Sequence, residues 1–148
     1  MEKLSAGNYK KDTIYPKVVK ATARLLKISN EISPVTILLE MGHLVPKSHQ
    51  SWLCGETPYL ERVFQGSLSK ANRILRIIGF HAHDLKMVSS HQSYRKKGTS
   101  KQLQFSKSGD LNIEKSYSQQ FKWNQSEEKK LIMIGELPVS VRDSIPLL

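Results

Sequence analysis

Prolines and glycines at close intervals divide residues 33–79 into short segments, and this punctuation limits what the chain can fold into. Ser33 can cap a helix, and Pro34 then stands at the first helical position, where its missing N–H costs nothing. Gly42 can end that helix in the left-handed conformation that other residues avoid. The same order recurs from Pro46 to Gly55, from Pro58 to Gly66 and from Ser67 to Gly79. The sequence therefore predicts four short helices in this region.

The segments on either side of this region predict a first helix, a hairpin and a last helix. One helical face is formed by apolar residues at Ile14, Val18, Ala21, Leu25 and Ile28. Leu103 and Phe105 alternate with polar residues beside a loop that contains Gly98, which is typical of a β-hairpin. The last helix is predicted by an apolar repeat at intervals of four, at Ile113, Tyr117 and Phe121.

The net charge of +10 is concentrated in the middle of the chain. Residues 67–107 hold nine lysines and arginines against one acid, Asp84, whereas residues 1–66 carry a net charge of +3 and residues 108–148 one of −1. A positive field confined in this way favours a polyanionic partner, because each phosphate that the protein neutralises releases condensed counterions. Ordinary solubilising charge is the alternative, but it is usually interspersed with acids.

The order of these elements is that of a winged helix-turn-helix domain. We therefore expect an α+β fold, mostly helical and with one basic β-hairpin, over residues 13–123. Its recognition helix would be residues 68–78, held to the core by an apolar stripe, and its wing would be the hairpin at 91–107. Residues 124–148 are expected to form a flexible or partly helical tail.

The polar side of the predicted recognition helix carries the chemistry that reads base edges in the major groove. Arginine pairs with guanine through two hydrogen bonds and asparagine pairs with adenine, while lysines of the wing would lie along the phosphates. The expected contact residues are Ser69, Lys70, Asn72, Arg73, Arg76, Arg95, Lys96, Lys97, Lys101 and Lys107. Double-stranded DNA is the expected partner, bound by a regulator or by an accessory factor of a mobile element. RNA is the alternative that the sequence does not separate from DNA.

Two other functions fit parts of the sequence. A protein-interaction adaptor would dock its basic hairpin on an acidic partner. A single-strand nuclease of the HUH type would use His81 and His83 as metal ligands and Tyr117 as the nucleophile. The nuclease is disfavoured because no Glu or Gln close by supplies a third ligand, and because histidines two positions apart diverge on a helix. We expect no catalytic residue, no metal and no cofactor.

The composition, 39% hydrophobic and 24% charged, is typical of a globular protein. No apolar run approaches the roughly 20 residues that a membrane span requires, and the first residues show no secretory signal. A single cysteine, Cys54, cannot form an intramolecular disulfide. These features favour the reducing environment of the cytoplasm.

Several short segments resemble a pattern in small basic bacterial proteins whose function is not established. The segments are 58–63, 68–70, 80–85 and 105–110, followed by Ile113-Glu114 and Tyr117. The resemblance covers about residues 15–121 and does not extend to the tail. It implies a bacterial protein and assigns no site residue and no mechanism.

Overall fold

The computed structural model describes residues 4–135, which form an α+β fold that is mostly helical. The helices of this part are α1 (Tyr15–Ile28), α2 (Pro34–Met41), α3 (Pro46–Leu53), α4 (Leu68–Asp84), α5 (Leu111–Ser118) and α6 (Glu127–Met133). The strands are β1 (Glu31–Ile32), β2 (Val88–His91) and β3 (Gln119–Lys122), and 3-10 turns lie at Tyr9–Lys11 and Leu60–Val63. None of the helices within residues 4–135 has the length and apolarity that crossing a membrane needs.

Side-chain caps determine where α2 and α4 begin. Ser33 Oγ accepts a hydrogen bond from the Thr36 N–H at 3.2 Å, and Thr36 Oγ1 accepts one from the Ser33 N–H at 2.9 Å. The two residues thus satisfy donors that the first turn of α2 leaves open. Gly42 follows α2 with a φ of 82°, in the left-handed region. Ser67 Oγ accepts from the Lys70 N–H at 3.1 Å and caps α4 in the same way.

The recognition helix predicted over 68–78 is longer than the sequence indicates. Gly79 is predicted to end it, but its backbone stays helical and α4 continues to Asp84. The added turns bury Ala82 and place the Phe80 ring 5.4 Å from the Tyr9 ring, between centroids. Burying a large apolar side chain stabilises a fold by roughly 1.5–3 kcal/mol, which exceeds the cost of about 1 kcal/mol that glycine brings to a helix interior.

The sequence predicts that Phe121 lies on the last helix, but it lies in the sheet, so this prediction was wrong. The last helix, α5, ends at Ser118, and the chain passes directly into β3. The sheet is antiparallel in the order β1-β3-β2, and Phe121 is paired with Ile32 on one side and Ser89 on the other. Pairing with two strands that are distant in the sequence decides the conformation of Phe121, which its local spacing does not reveal.

The hairpin predicted at 91–107 is a loop closed by one isolated bridge, between Arg95 and Gln102. The chain after the bridge runs beside the 3-10 turn at Leu60–Val63, where the sequence predicts a helix. The Leu60 N–H donates to Gln104 O at 3.1 Å, and the Glu61 N–H donates to Phe105 O at 2.9 Å. The alternation correctly predicts that Leu103 and Phe105 are buried, but Ser106, a polar position of the same pattern, is buried too. The segment also pairs with a different partner from the predicted one.

The chain after β3 packs on the rest of the domain as far as it is described. The backbone N–H of Trp123 donates to Asn30 O at 2.7 Å. Lys130, on α6, is 6% exposed, and its ammonium donates to Asn30 Oδ1 at 2.7 Å and to Ser29 O at 3.2 Å. These contacts attach α6 to the end of α1. The remainder of the predicted tail, residues 136–148, lies outside the described residues.

Candidate nucleic-acid interface

Helix α4 has a buried face and an exposed face, as the sequence predicts, but Leu68, the first residue of the predicted apolar stripe, is 46% exposed. The buried residues are Ala71, Ile74, Leu75, Ile77, Ile78, His81 and Ala82. Ser69, Asn72 and Arg76 are exposed, and Lys70 is half-buried. Intervals of three and four residues place the three exposed side chains next to one another along the helix. They form one polar strip on a helix that the core holds rigidly.

Arg73 is engaged within the protein, in contrast to its predicted role. Its Nη2 donates to Asp12 Oδ1 at 2.7 Å and its Nε donates to Asp12 Oδ2 at 3.2 Å. Burial alone would raise the pKa of Asp12, but the hydrogen bonds from Arg73 and from the Ile14 N–H lower it below its ordinary value. Arg73 therefore ties α4 to the segment before α1, and its guanidinium is already paired within the protein.

The basic loop, residues 95–101, rests on the end of α3. The Lys97 N–H donates to Leu53 O, in the last turn of α3, at 2.9 Å. The methylenes of Lys96 lie over Gly55, where an added Cβ would come within 2.8 Å of Lys96 Cδ. Gly55, at a φ of 78°, thus provides both the left-handed turn after α3 and the space for this lysine.

The basic side chains of the loop and of the chain after it differ in their exposure and in their hydrogen bonds. Arg95 Nη1 donates to Ser100 O at 2.7 Å and closes the loop on itself. Lys97, Lys101 and Lys107 are exposed, whereas Lys96 is half-buried. The predicted contact residues therefore lie on α4 and on the loop beside α3, with Lys107 in the chain that follows the loop.

Glu114, which is not among the predicted contact residues, holds the chain that follows the basic loop. One of its carboxylate oxygens accepts from the Phe105 N–H at 3.0 Å, and the other accepts from the Ser106 N–H and Oγ, both at 2.7 Å. Ser106 is fully buried. The sequence around Glu114 does not reveal that it binds backbone N–H groups, because these groups belong to Phe105 and Ser106, in a different segment of the chain.

The residues of the nuclease alternative do not come together. His81 is 6% exposed, with its ring 5.8 Å from the Tyr15 ring, whereas His83 is exposed on another side of α4. Tyr117 is 1% exposed, and its hydroxyl donates to Glu61 Oε2 at 2.9 Å. Burial and the charge of Glu61 raise the pKa of Tyr117, which disfavours its phenolate. Within residues 4–135 no group of three His, Cys, Asp or Glu side chains is placed to hold a metal.

A groove of about 390 Å³ lies between α4 and α5, along the exposed strip of α4. Its lining residues are Asn72, Leu75, Arg76, Asn112, Ile113 and Ser116. Leu75 is buried, whereas Asn72, Arg76 and Asn112 are exposed. The groove thus has polar edges that reach solvent and one positive charge.

No protein-family model, no curated protein and no solved structure matches the chain.

Proposed function

We propose that the protein binds double-stranded DNA through the exposed strip of α4, with the basic loop on the phosphate backbone. The observation that carries this proposal is the side-by-side placement of Ser69, Asn72 and Arg76 on a helix whose opposite face is buried. The major groove admits an α-helix, and the amide of Asn72 suits adenine as the guanidinium of Arg76 suits guanine. Rigid attachment to the core keeps these groups in a constant register, which base readout needs.

The order of the elements supports a winged-helix arrangement. β1 lies between the first two helices, β2 follows α4 directly, and the sheet order is β1-β3-β2. A winged-helix domain has the same order, with its recognition helix before the second strand and its wing between the last two strands. Here the connection between β2 and β3 contains the basic loop and α5, and α3 is a connecting helix before α4.

The distribution of charge supports a negatively charged partner, and the residues of α4 favour nucleic acid over an acidic protein. Asp84 is the one acid in residues 67–107, and it accepts a hydrogen bond from the Tyr9 hydroxyl. Exposed Lys97, Lys101 and Lys107 add charge without acids between them. An acidic protein would need the same lysines, but it would not need Asn72 and Arg76 side by side on a rigid helix.

Binding of Arg76→Ala to a preferred duplex tests the proposal. A preferred site is first selected from a random duplex library, and affinities are then measured by fluorescence anisotropy for that site, a random duplex, single-stranded DNA and RNA. We expect the duplexes to bind most tightly. Arg76→Ala should lose about 1–3 kcal/mol on the preferred site and less on the random duplex, because the variant cannot form the bidentate pair with a base.

The double variant Lys97→Ala/Lys101→Ala is the matched control, since it also removes positive charge. It should weaken binding to both duplexes alike and reduce the salt dependence by about one unit for each phosphate that the variant no longer neutralises. If Arg76→Ala also weakens both duplexes alike, α4 does not read bases. If single-stranded DNA or RNA binds more tightly than duplex, the proposal is wrong.

A further inference from the structure

We infer that the groove between α4 and α5 receives one sugar–phosphate strand of the bound duplex, which makes α5 a second element of the interface. This inference rests on the proposed function. A helix in the major groove, which is about 12 Å wide, has a phosphate strand on each side. Because the groove runs beside Asn72 and Arg76, the side chains proposed to read bases, it lies where one of these strands passes.

The groove lining has the chemistry that a phosphodiester strand needs. The exposed amide of Asn112 can donate to phosphate oxygens, and the charge of Arg76 makes the opposite wall of the groove positive. Ser116 Oγ already donates to Asn112 O at 3.0 Å, so it is not counted as a further donor. Ile113, which is half-buried, offers apolar surface to deoxyribose.

Neither of the two acids at α5, Asp110 and Glu114, lines the groove. The carboxylate of Glu114 is bound to Phe105 and Ser106. Asp110 caps α5 by accepting from the N–H groups that begin the helix. Lys115 is exposed on the same helix. The groove lining thus contains Arg76 and amides and no acid, although the exposed carboxylate of Asp110 lies at the start of α5. This lining favours a phosphate strand over an uncharged partner.

Asn112→Asp tests the inference by placing a negative charge in the groove. An acid in the first turn of a helix is compatible with the helix dipole, so the variant should fold, and a thermal melt checks this. We expect binding to the preferred site and to the random duplex to weaken by the same factor, about tenfold or more, because phosphate contacts carry no sequence information. Asn112→Ala, which removes the amide without adding charge, should weaken both by about threefold.

Asn124→Asp is the matched control. It makes the same chemical change at an exposed position beyond the other end of β3, and it should weaken binding by less than about threefold, as distant charge is screened. The inference is wrong, and the proposed function stands, if Asn112→Asp and Asn124→Asp weaken binding equally while Arg76→Ala still loses more affinity on the preferred site than on the random duplex. A change of sequence preference in Asn112→Asp would also overturn it, since α5 would then contact bases. If the wild-type protein binds no duplex, the proposed function fails and the inference fails with it.

Discussion

Two arginines one turn apart on α4 have the same chemistry and different surroundings. The sequence treats Arg73 and Arg76 alike, as polar positions beside an apolar stripe. The Arg73 side chain is 43% exposed and pairs with Asp12, whose side chain is 11% exposed. Arg76 is exposed and borders the groove between α4 and α5. The arginine with a structural role and the arginine with the proposed binding role are thus three positions apart.

This separation predicts opposite effects for two alanine variants. Arg73→Ala should lower the free energy of unfolding by about 1–3 kcal/mol, because it leaves a poorly exposed carboxylate without two of its donors. Arg76→Ala should change it by no more than about 0.5 kcal/mol. Urea unfolding of both variants measures the difference, and NMR titration should show the pKa of Asp12 rising in Arg73→Ala. Equal stability of the two variants would mean that the ion pair with Asp12 contributes nothing.

At the scale of the elements, caps begin the helices and packing decides where they end. Ser33 and Ser67 lie within three residues of the N–H groups that they satisfy. The end of α4 depends instead on Phe80 packing against Tyr9, which lies far away in the sequence. The basic loop also depends on distant partners, since the end of α3 holds Lys96 and Lys97 and Glu114 holds the chain that follows the loop.

Glu114→Ala should loosen the segment that follows the basic loop. Three donors from Phe105 and Ser106 would lose their acceptor, at a cost of about 2–4 kcal/mol in unfolding free energy. Hydrogen exchange should show loss of protection at the Phe105 and Ser106 amides in particular. Glu56→Ala, which removes an exposed carboxylate, is the control and should leave both amides protected. Unchanged protection in Glu114→Ala would show that other contacts hold the segment.

At the scale of the whole molecule, a buried histidine links stability to pH. Burial lowers the pKa of His81, an effect that Asp84 partly opposes. The unfolded chain takes up a proton below a pH of about 6.5, whereas the folded protein resists it. The stability from neutral His81 is therefore complete above this pH and is lost as the pH falls through the lowered pKa of the folded state.

His81→Phe should reduce this acid sensitivity. The variant keeps a ring against Tyr15 and removes the titrating group, so its loss of unfolding free energy between pH 7.5 and 5.5 should be smaller than that of the wild type, by at most about 1.4 kcal/mol. His83→Phe, at an exposed position, should follow the wild type. Denaturant unfolding at the two pH values measures the difference. Parallel behaviour of all three proteins would show that His81 is protonated equally well in the folded state.

Local sequence is sufficient for the features of this protein that depend on residues within one or two turns. The starts of α2 and α4, the left-handed end of α2 at Gly42 and the exposed strip of α4 follow from capping, from glycine and from helical periodicity. The concentration of charge in residues 67–107 is likewise visible without a structure. These features supply the α4 part of the candidate interface.

Long-range contacts account for the rest, because their free energies arise between residues that no spacing rule connects. Arg73 and Asp12 are 61 positions apart, yet they form the ion pair that ties α4 to the segment before α1. Phe121 lies in the central strand because β1 and β2 approach it from distant parts of the chain. The helical periodicity is compatible with a free or a paired Arg73, and with Phe121 in a helix or in a strand. Burial and hydrogen bonding in the assembled fold select between them.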